Sequence, residues 1–153
     1  MFAALLLLIL QSTTISGSLF LPAEAGPIGT AQVVALPEEY AQAFNAEAQQ
    51  RIDRYWETYK PEFAQRKELF SQVTPLAYRD ALDAVMLRMR RDSKLDASQL
   101  IRSVQGGRFE FRLPAGDYKL VATAMVGGVQ YIWTESIRAS NTALFLQMKN
   151  RVP

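Results

Sequence analysis

The period of the hydrophobic pattern changes part-way along this chain, and that change limits the fold more than any other feature. From Glu38 onward, Tyr40, Phe44, Ala48, Ile52, Tyr55 or Trp56, Tyr59 and Phe63 recur every three or four residues, the spacing of one helical face. From Arg108 the period is two. Phe109, Phe111 and Leu113 alternate with Arg108, Glu110 and Arg112, the pattern of a strand with one buried and one wet face. A chain that carries both periods in separate stretches reads as α+β, with strands that must cover an apolar face.

The helical stretch divides in two. Gln42, Gln49, Arg51 and Glu57 lie opposite the first apolar stripe, and Glu47–Arg51 and Glu62–Arg66 have the i, i+4 spacing of helix-supporting pairs. Pro61 is expected to kink or split this helix, because it lacks an N–H and crowds the carbonyl four residues earlier. Leu69, Phe70 and Val73 continue the stripe, and Thr74-Pro75 reads as the start of a second helix. Leu76, Leu82, Val85, Met86 and Met89 mark its apolar side, with Arg79, Asp80, Asp83 and Arg90 toward water, before a polar connector at 92–98.

The β stretch follows. Leu100 to Val104 is a candidate strand, Gln105-Gly106-Gly107 a turn, and Pro114-Ala115-Gly116 another. Tyr118 to Val126 and Val129 to Ile137 form a hairpin about Gly127-Gly128, and Ala143 to Met148 closes the series after a turn at Ser140-Asn141. One more Val-rich run, Gln32 to Leu36, precedes Pro37 and reads as the first strand. The simplest arrangement is an antiparallel two-sheet sandwich, with a two-helix insertion at about 38–98 between the first strand and the remaining strands. The insertion either lays its Tyr and Phe stripe on an open sheet face or projects as a helical hairpin. Packing is the expectation, since so large an exposed patch is unusual on a monomer.

The N-terminus reads as an export signal. Phe2 to Leu10 is an unbroken apolar run, and Ala23 and Ala25 supply the small-x-small spacing of a leader peptidase site. Residues 1–25 are therefore expected to be removed after Ala25, leaving a single domain at 26–153 in the periplasm or outside the cell. The first basic residue is Arg51, which departs from the usual basic start of a leader. A membrane anchor and a buried core segment are the alternatives; the apolar run is roughly half the ~20 residues a span needs. No membrane span is expected after cleavage.

The 153 residues contain no Cys and no His. Disulfides, thiol nucleophiles, His-based triads and imidazole or thiolate metal sites are excluded, and no metal or cofactor is implied. A net charge of +2 gives no reason to invoke nucleic acid.

The stretch Gly107-Arg108-Phe109-Glu110-Phe111-Arg112-Leu113-Pro114-Ala115-Gly116-Asp117-Tyr118-Lys119-Leu120 resembles the GxFxFxxLPxGxYxL core of carboxypeptidase regulatory-like domains, the transthyretin-like or prealbumin-like sandwiches. Val33-Val34-Ala35-Leu36-Pro37, followed by an aromatic-rich helical insertion, is similar to exported bacterial members, as is the closing Thr142-Ala143-Leu144-Phe145-Leu146. Ser103-Val104-Gln105-Gly106-Gly107 departs from the usual Thr-Asp-x-x-Gly turn. The resemblance implies a prealbumin-like sandwich that serves as a structural or binding module; it implies no activity.

Candidate sites are few. Tyr131 and Trp133 share a strand face and form a platform for sugar rings or apolar side chains if exposed, or core if buried. Tyr55, Trp56 and Tyr59 pose the same choice on the helix, and Trp56, about 100° from Tyr55, is the foremost exposed candidate. Arg88, Arg90, Arg91 and Lys94 form the densest basic cluster, which complements a helix C-terminus or meets an anionic lipid or polysaccharide. Glu38, Glu39, Asp117 and Glu135 are the carboxylates that a glycoside hydrolase would need, though no spacing selects a pair. Ser93-Lys94 has no motif around it to support a nucleophile. The expected role is thus a non-catalytic exported module docking an envelope protein or a polysaccharide. The alternatives are a carboxylate-dependent carbohydrate hydrolase and a helical partner-docking adaptor.

Overall fold

The computed structural model describes residues 12–63, 65–92, 97–149, 151 and 152. These form seven strands, β1 Thr13–Leu19, β2 Thr30–Pro37, β3 Ile101–Gln105, β4 Arg108–Leu113, β5 Gly116–Val126, β6 Val129–Ala139 and β7 Leu144–Met148. Two long helices, α1 Glu38–Phe63 and α3 Val73–Asp92, are accompanied by single turns at α2 Lys67–Phe70 and α4 Ala97–Leu100. The α+β reading and the two-sheet arrangement both hold. One sheet has the order β4-β1-β7 and the other β3-β2-β5-β6.

Three features differ from the sequence expectation. The run Gln32 to Leu36 lies in the second strand, not the first, so the helices follow two strands. The first is Thr13–Leu19, the middle strand of its sheet, antiparallel to β4 (Ile15 opposite Phe111) and parallel to β7 (Ile15 opposite Leu144). The sandwich is therefore not wholly antiparallel. Within the span 1–25 that reads as a leader, Ile15 and Leu19 point into the core, and β1 bridges two strands that do not otherwise pair among the described residues. The apolar run Phe2 to Leu10 lies outside the described residues.

Smaller boundaries also shift. Pro61 does not split the first helix but sits in its last turn, and α1 ends two residues later at Phe63. α3 begins at Val73, ahead of Thr74, with the Leu76 N–H donating to the Gln72 carbonyl at 3.1 Å. Gly127 and Gly128, at φ 58° and 76°, make the expected hairpin turn, a geometry that costs an L side chain but not glycine.

The four-stranded sheet is covered on both faces. Val33, Val34, Ala35 and Leu36 are all buried, the continuous apolar run of a strand sandwiched between layers. Alternation separates the two sides. Trp133, paired with Ala122, reaches toward the three-stranded sheet, where its indole N–H donates to the Phe20 carbonyl at 3.0 Å. Lys119, of the opposite parity on β5, donates to Asn45 Oδ1 on α1 at 2.8 Å and lies over the Phe44 ring. The helices pack across that face instead of projecting: Tyr40, Phe44, Ala48, Ala81, Leu82, Val85, Met86 and Met89 join the strands in one core. At the far end Gln72 Oε1 accepts the Gln130 backbone N–H at 3.1 Å, tying the helical turn to the β5–β6 hairpin.

Two tyrosines join the helices to each other. Tyr40 OH donates to Asp92 Oδ2 at 2.8 Å, and Tyr55 OH donates to Asp80 Oδ2 at 2.6 Å. Burial, and then the hydrogen bond to the carboxylate, raise both phenols above their ordinary value of 10.0. Burial lowers Lys119 from 10.5. A raised phenol holds its proton in the fold after the unfolded chain has released it, so its contribution is complete below pH 10 and is lost as pH climbs beyond. Tyr118, raised by burial, acts in the same sense, and Lys119 acts in the opposite sense just below its ordinary value, one group against three. Urea midpoints measured upward from about pH 8 are expected to fall above about pH 10, and to fall less steeply for the Tyr40→Phe/Tyr55→Phe double variant.

Candidate functional site

The end of the helical hairpin carries an aromatic cluster that the strands do not cover. Trp56, Phe63 and Phe70 meet edge to face, with ring centroids 4.9 Å apart for Trp56–Phe63, 4.6 Å for Trp56–Phe70 and 5.6 Å for Phe63–Phe70. The end of α1 at Phe63 makes this possible. Trp56 and Phe63 are two turns apart on one helix face, and the single-turn α2 folds Phe70 back onto them. Phe70 remains 57% exposed. Beside the cluster a groove of about 370 Å³ runs between the two helices, lined by Tyr55, Tyr59, Glu62, Arg66, Leu69 and Gln72 among others. Tyr59 is 42% exposed, edge-on to Tyr55 at 6.2 Å, and Tyr55 is pinned by Asp80, which Arg79 also binds at 3.0 Å. The groove thus has an aromatic wall, an aliphatic floor and charges of both signs at its rim.

The residues expected from the sequence fall into three groups. Tyr55, Trp56 and Tyr59 come together here, but their exposure is reordered. Trp56 is half-buried by Phe63 and Phe70, and the accessible rings are Tyr59 and Phe70. Phe70 was legible only as the continuation of a stripe, because Pro61 marks where the first helix falters but no local feature says that the next turn folds Phe70 back onto Trp56.

The second group is lost as a platform. Trp133 is fully buried, and Tyr131, 6.2 Å from it, is half-buried with the Arg151 guanidinium 5.8 Å over its ring. Arg151 pairs with Trp133 through the backbone and Val152 N–H donates to the Ile132 carbonyl, so the chain's end closes over that edge of β6. Of the two alternatives that the sequence left open, Trp133 takes the core one, with Tyr131 half-buried beside it.

The third group is basic. Arg90 and Arg91 are exposed in the last turn of α3, and Arg88 is 3.9 Å from Asp92 one turn on, the placement that a helix's negative end favours. Lys94 lies outside the described residues, as does Ser93.

Of the four carboxylates, Glu38 and Asp117 line one cleft of about 480 Å³ with Gln42, Asn45, Lys119 and Arg138. Asp117 is held by Arg138 at 3.3 Å, with both side chains more than half exposed. Glu39 and Glu135 do not line this cleft. No helix among the described residues is long and apolar enough to cross a membrane.

No protein-family model matches the sequence, and no curated protein matches it. Among solved structures the chain is similar to the pilus backbone protein RrgB from Streptococcus pneumoniae, at 14% identity with a TM-score of 0.30. The match covers 91% of this chain and 41% of that one, so this chain spans less than half of that protein's length. A likeness this remote carries neither fold detail nor function.

Proposed function

We propose that this protein is a non-catalytic structural and binding module of the cell envelope, a prealbumin-like sandwich that docks an envelope protein through the end of its helical hairpin. The observation that carries the reading is the exposed ring of Phe70 on the Trp56–Phe63 cluster, beside the groove walled by Tyr59. Large aromatic side chains left in water next to a concave, mixed-charge groove match the anchor-and-rim chemistry of protein interfaces. A polysaccharide is favoured less. Sugar rings stack on open aromatic faces, and the strand pair best arranged for that, Tyr131 and Trp133, is closed by burial and by Arg151.

The test is binding of purified full-length chain to isolated envelopes, before and after the envelopes are treated with protease or with periodate. Binding that protease abolishes and periodate spares is expected, together with a loss of about tenfold or more for Tyr59→Ser/Phe70→Ser, the scale of an interface anchor. Circular dichroism should be unchanged in that variant, since both side chains are exposed. Binding that survives protease but not periodate transfers the reading to a glycan. Equal binding by the variant removes the hairpin end from the interaction.

A second reading, a carbohydrate-acting hydrolase, has one observation in its favour, the convergence of Glu38 and Asp117 on one cleft. In such a pair one carboxyl is kept protonated by an apolar pocket. This cleft is open, and one of its carboxylates is already tied to an arginine.

A further inference from the structure

We infer that β1 stays on the mature chain, so that any leader is cut upstream of Thr13 and the Ala23-x-Ala25 pattern is not a processing site. Three observations carry this. First, among the described residues β1 is the link between β4 and β7 in its sheet. Removing it leaves those strands two strand spacings apart, about 9.5 Å, with both ladders open. Second, the pocket for β1 is cut to its sequence. A Cβ built on Gly17 falls 2.6 Å from the Leu146 carbonyl oxygen and 2.6 Å from Phe109 Cζ, so the neighbouring strands approach the backbone as closely as only glycine permits. Third, the last residue of β1 and the one after it hold both sheets. Leu19 N–H donates to the Gly107 carbonyl at 2.8 Å, Phe20 N–H to the Met148 carbonyl at 3.1 Å, and the Phe20 carbonyl accepts the Trp133 indole.

A cut after Ala25 deletes all of these partners at once. It strips Ile15 and Leu19 from the core and orphans the indole N–H of the largest buried side chain. A leader is removed from an unfolded chain, so the fold cannot shield the Ala-x-Ala pattern. It does determine that a chain cut there lacks the strand that completes its sandwich.

The experiment is to express the full chain with its own N-terminus in an exporting bacterial host and to read the N-terminus of the folded product by intact mass and terminal sequencing. A start at or before Thr13, including an uncut chain, is the expected result. A folded, monomeric product starting at Gly26 overturns the inference. Ala23→Arg gives an independent readout, because Ala23 is exposed in a short 3-10 turn and its replacement leaves the fold intact. The mature mass, corrected for the substitution, and the yield are expected to match the parent chain. Accumulation of a longer precursor in this variant alone overturns the inference.

Discussion

Replacing Gly17 by alanine is expected to destabilise the protein by about 3 kcal/mol, from the addition of one methyl group to a well-packed interior. The new Cβ would meet the Leu146 carbonyl oxygen and the Phe109 ring, each at 2.6 Å. Ring and backbone must both move. Phe109 is buried and packs beside Phe111 at 6.1 Å, so it has little room to swing away, and Leu146 O belongs to the neighbouring strand. The change is a large share of the roughly 5–15 kcal/mol that holds a domain of ordinary size together. It reads out as a lower urea midpoint at unchanged slope. Ser18→Ala, one residue on and facing the other way, is the control and should stay within about 0.5 kcal/mol. If Gly17→Ala matches the parent in stability, β1 does not occupy its place between β4 and β7.

Trp133→Ala should cost about 3–5 kcal/mol, the range for emptying an aromatic site that cannot collapse. Trp133 is fully buried and its indole bonds the Phe20 carbonyl between the sheets. Trp133→Phe keeps most of the apolar volume but leaves that carbonyl without its donor, a loss of about 1–3 kcal/mol. Thermal and urea unfolding of the two variants separate packing from hydrogen bonding. A ligand platform predicts the reverse, a stable Trp133→Ala protein that has lost only binding.

How much of the site could be read from the chain depends on which contacts are local. Tyr55, Trp56 and Tyr59 stand on one helix, and their proximity follows from the helical repeat. Their exposure does not. Whether Trp56 faces water was decided by Phe70, fourteen positions on, which lies against it only because the single turn after α1 folds back. Tyr131 and Trp133 were visible as neighbours on a strand, but alternation only says that they share a face, and which face was settled by the packing of the two sheets, where the Phe20 carbonyl accepts the Trp133 indole N–H. The cleft holding Glu38 and Asp117 joins a helix start to a strand start, and no sequence interval encodes that meeting.

The fold divides in the same way. Residues 108–137 announce themselves, because alternation, Gly-Gly turns and a proline turn are properties of neighbours, and the helices follow from a period held over many turns. β1 shows its own alternation, with Thr14, Ser16 and Ser18 outward and Ile15 and Leu19 inward. Yet small and polar residues between an apolar run and an Ala-x-Ala pattern suit a leader equally well. The sequence by itself determined the two classes of secondary structure, most of their order and the absence of Cys and His chemistry, since each of these is set within a few residues. Only the tertiary structure decided that Thr13–Leu19 is a central strand, that the helices lie on the sheet and that the aromatic cluster at their turn stays in water. Each of those outcomes is a pairing between distant segments, and its free energy exists only once they have met.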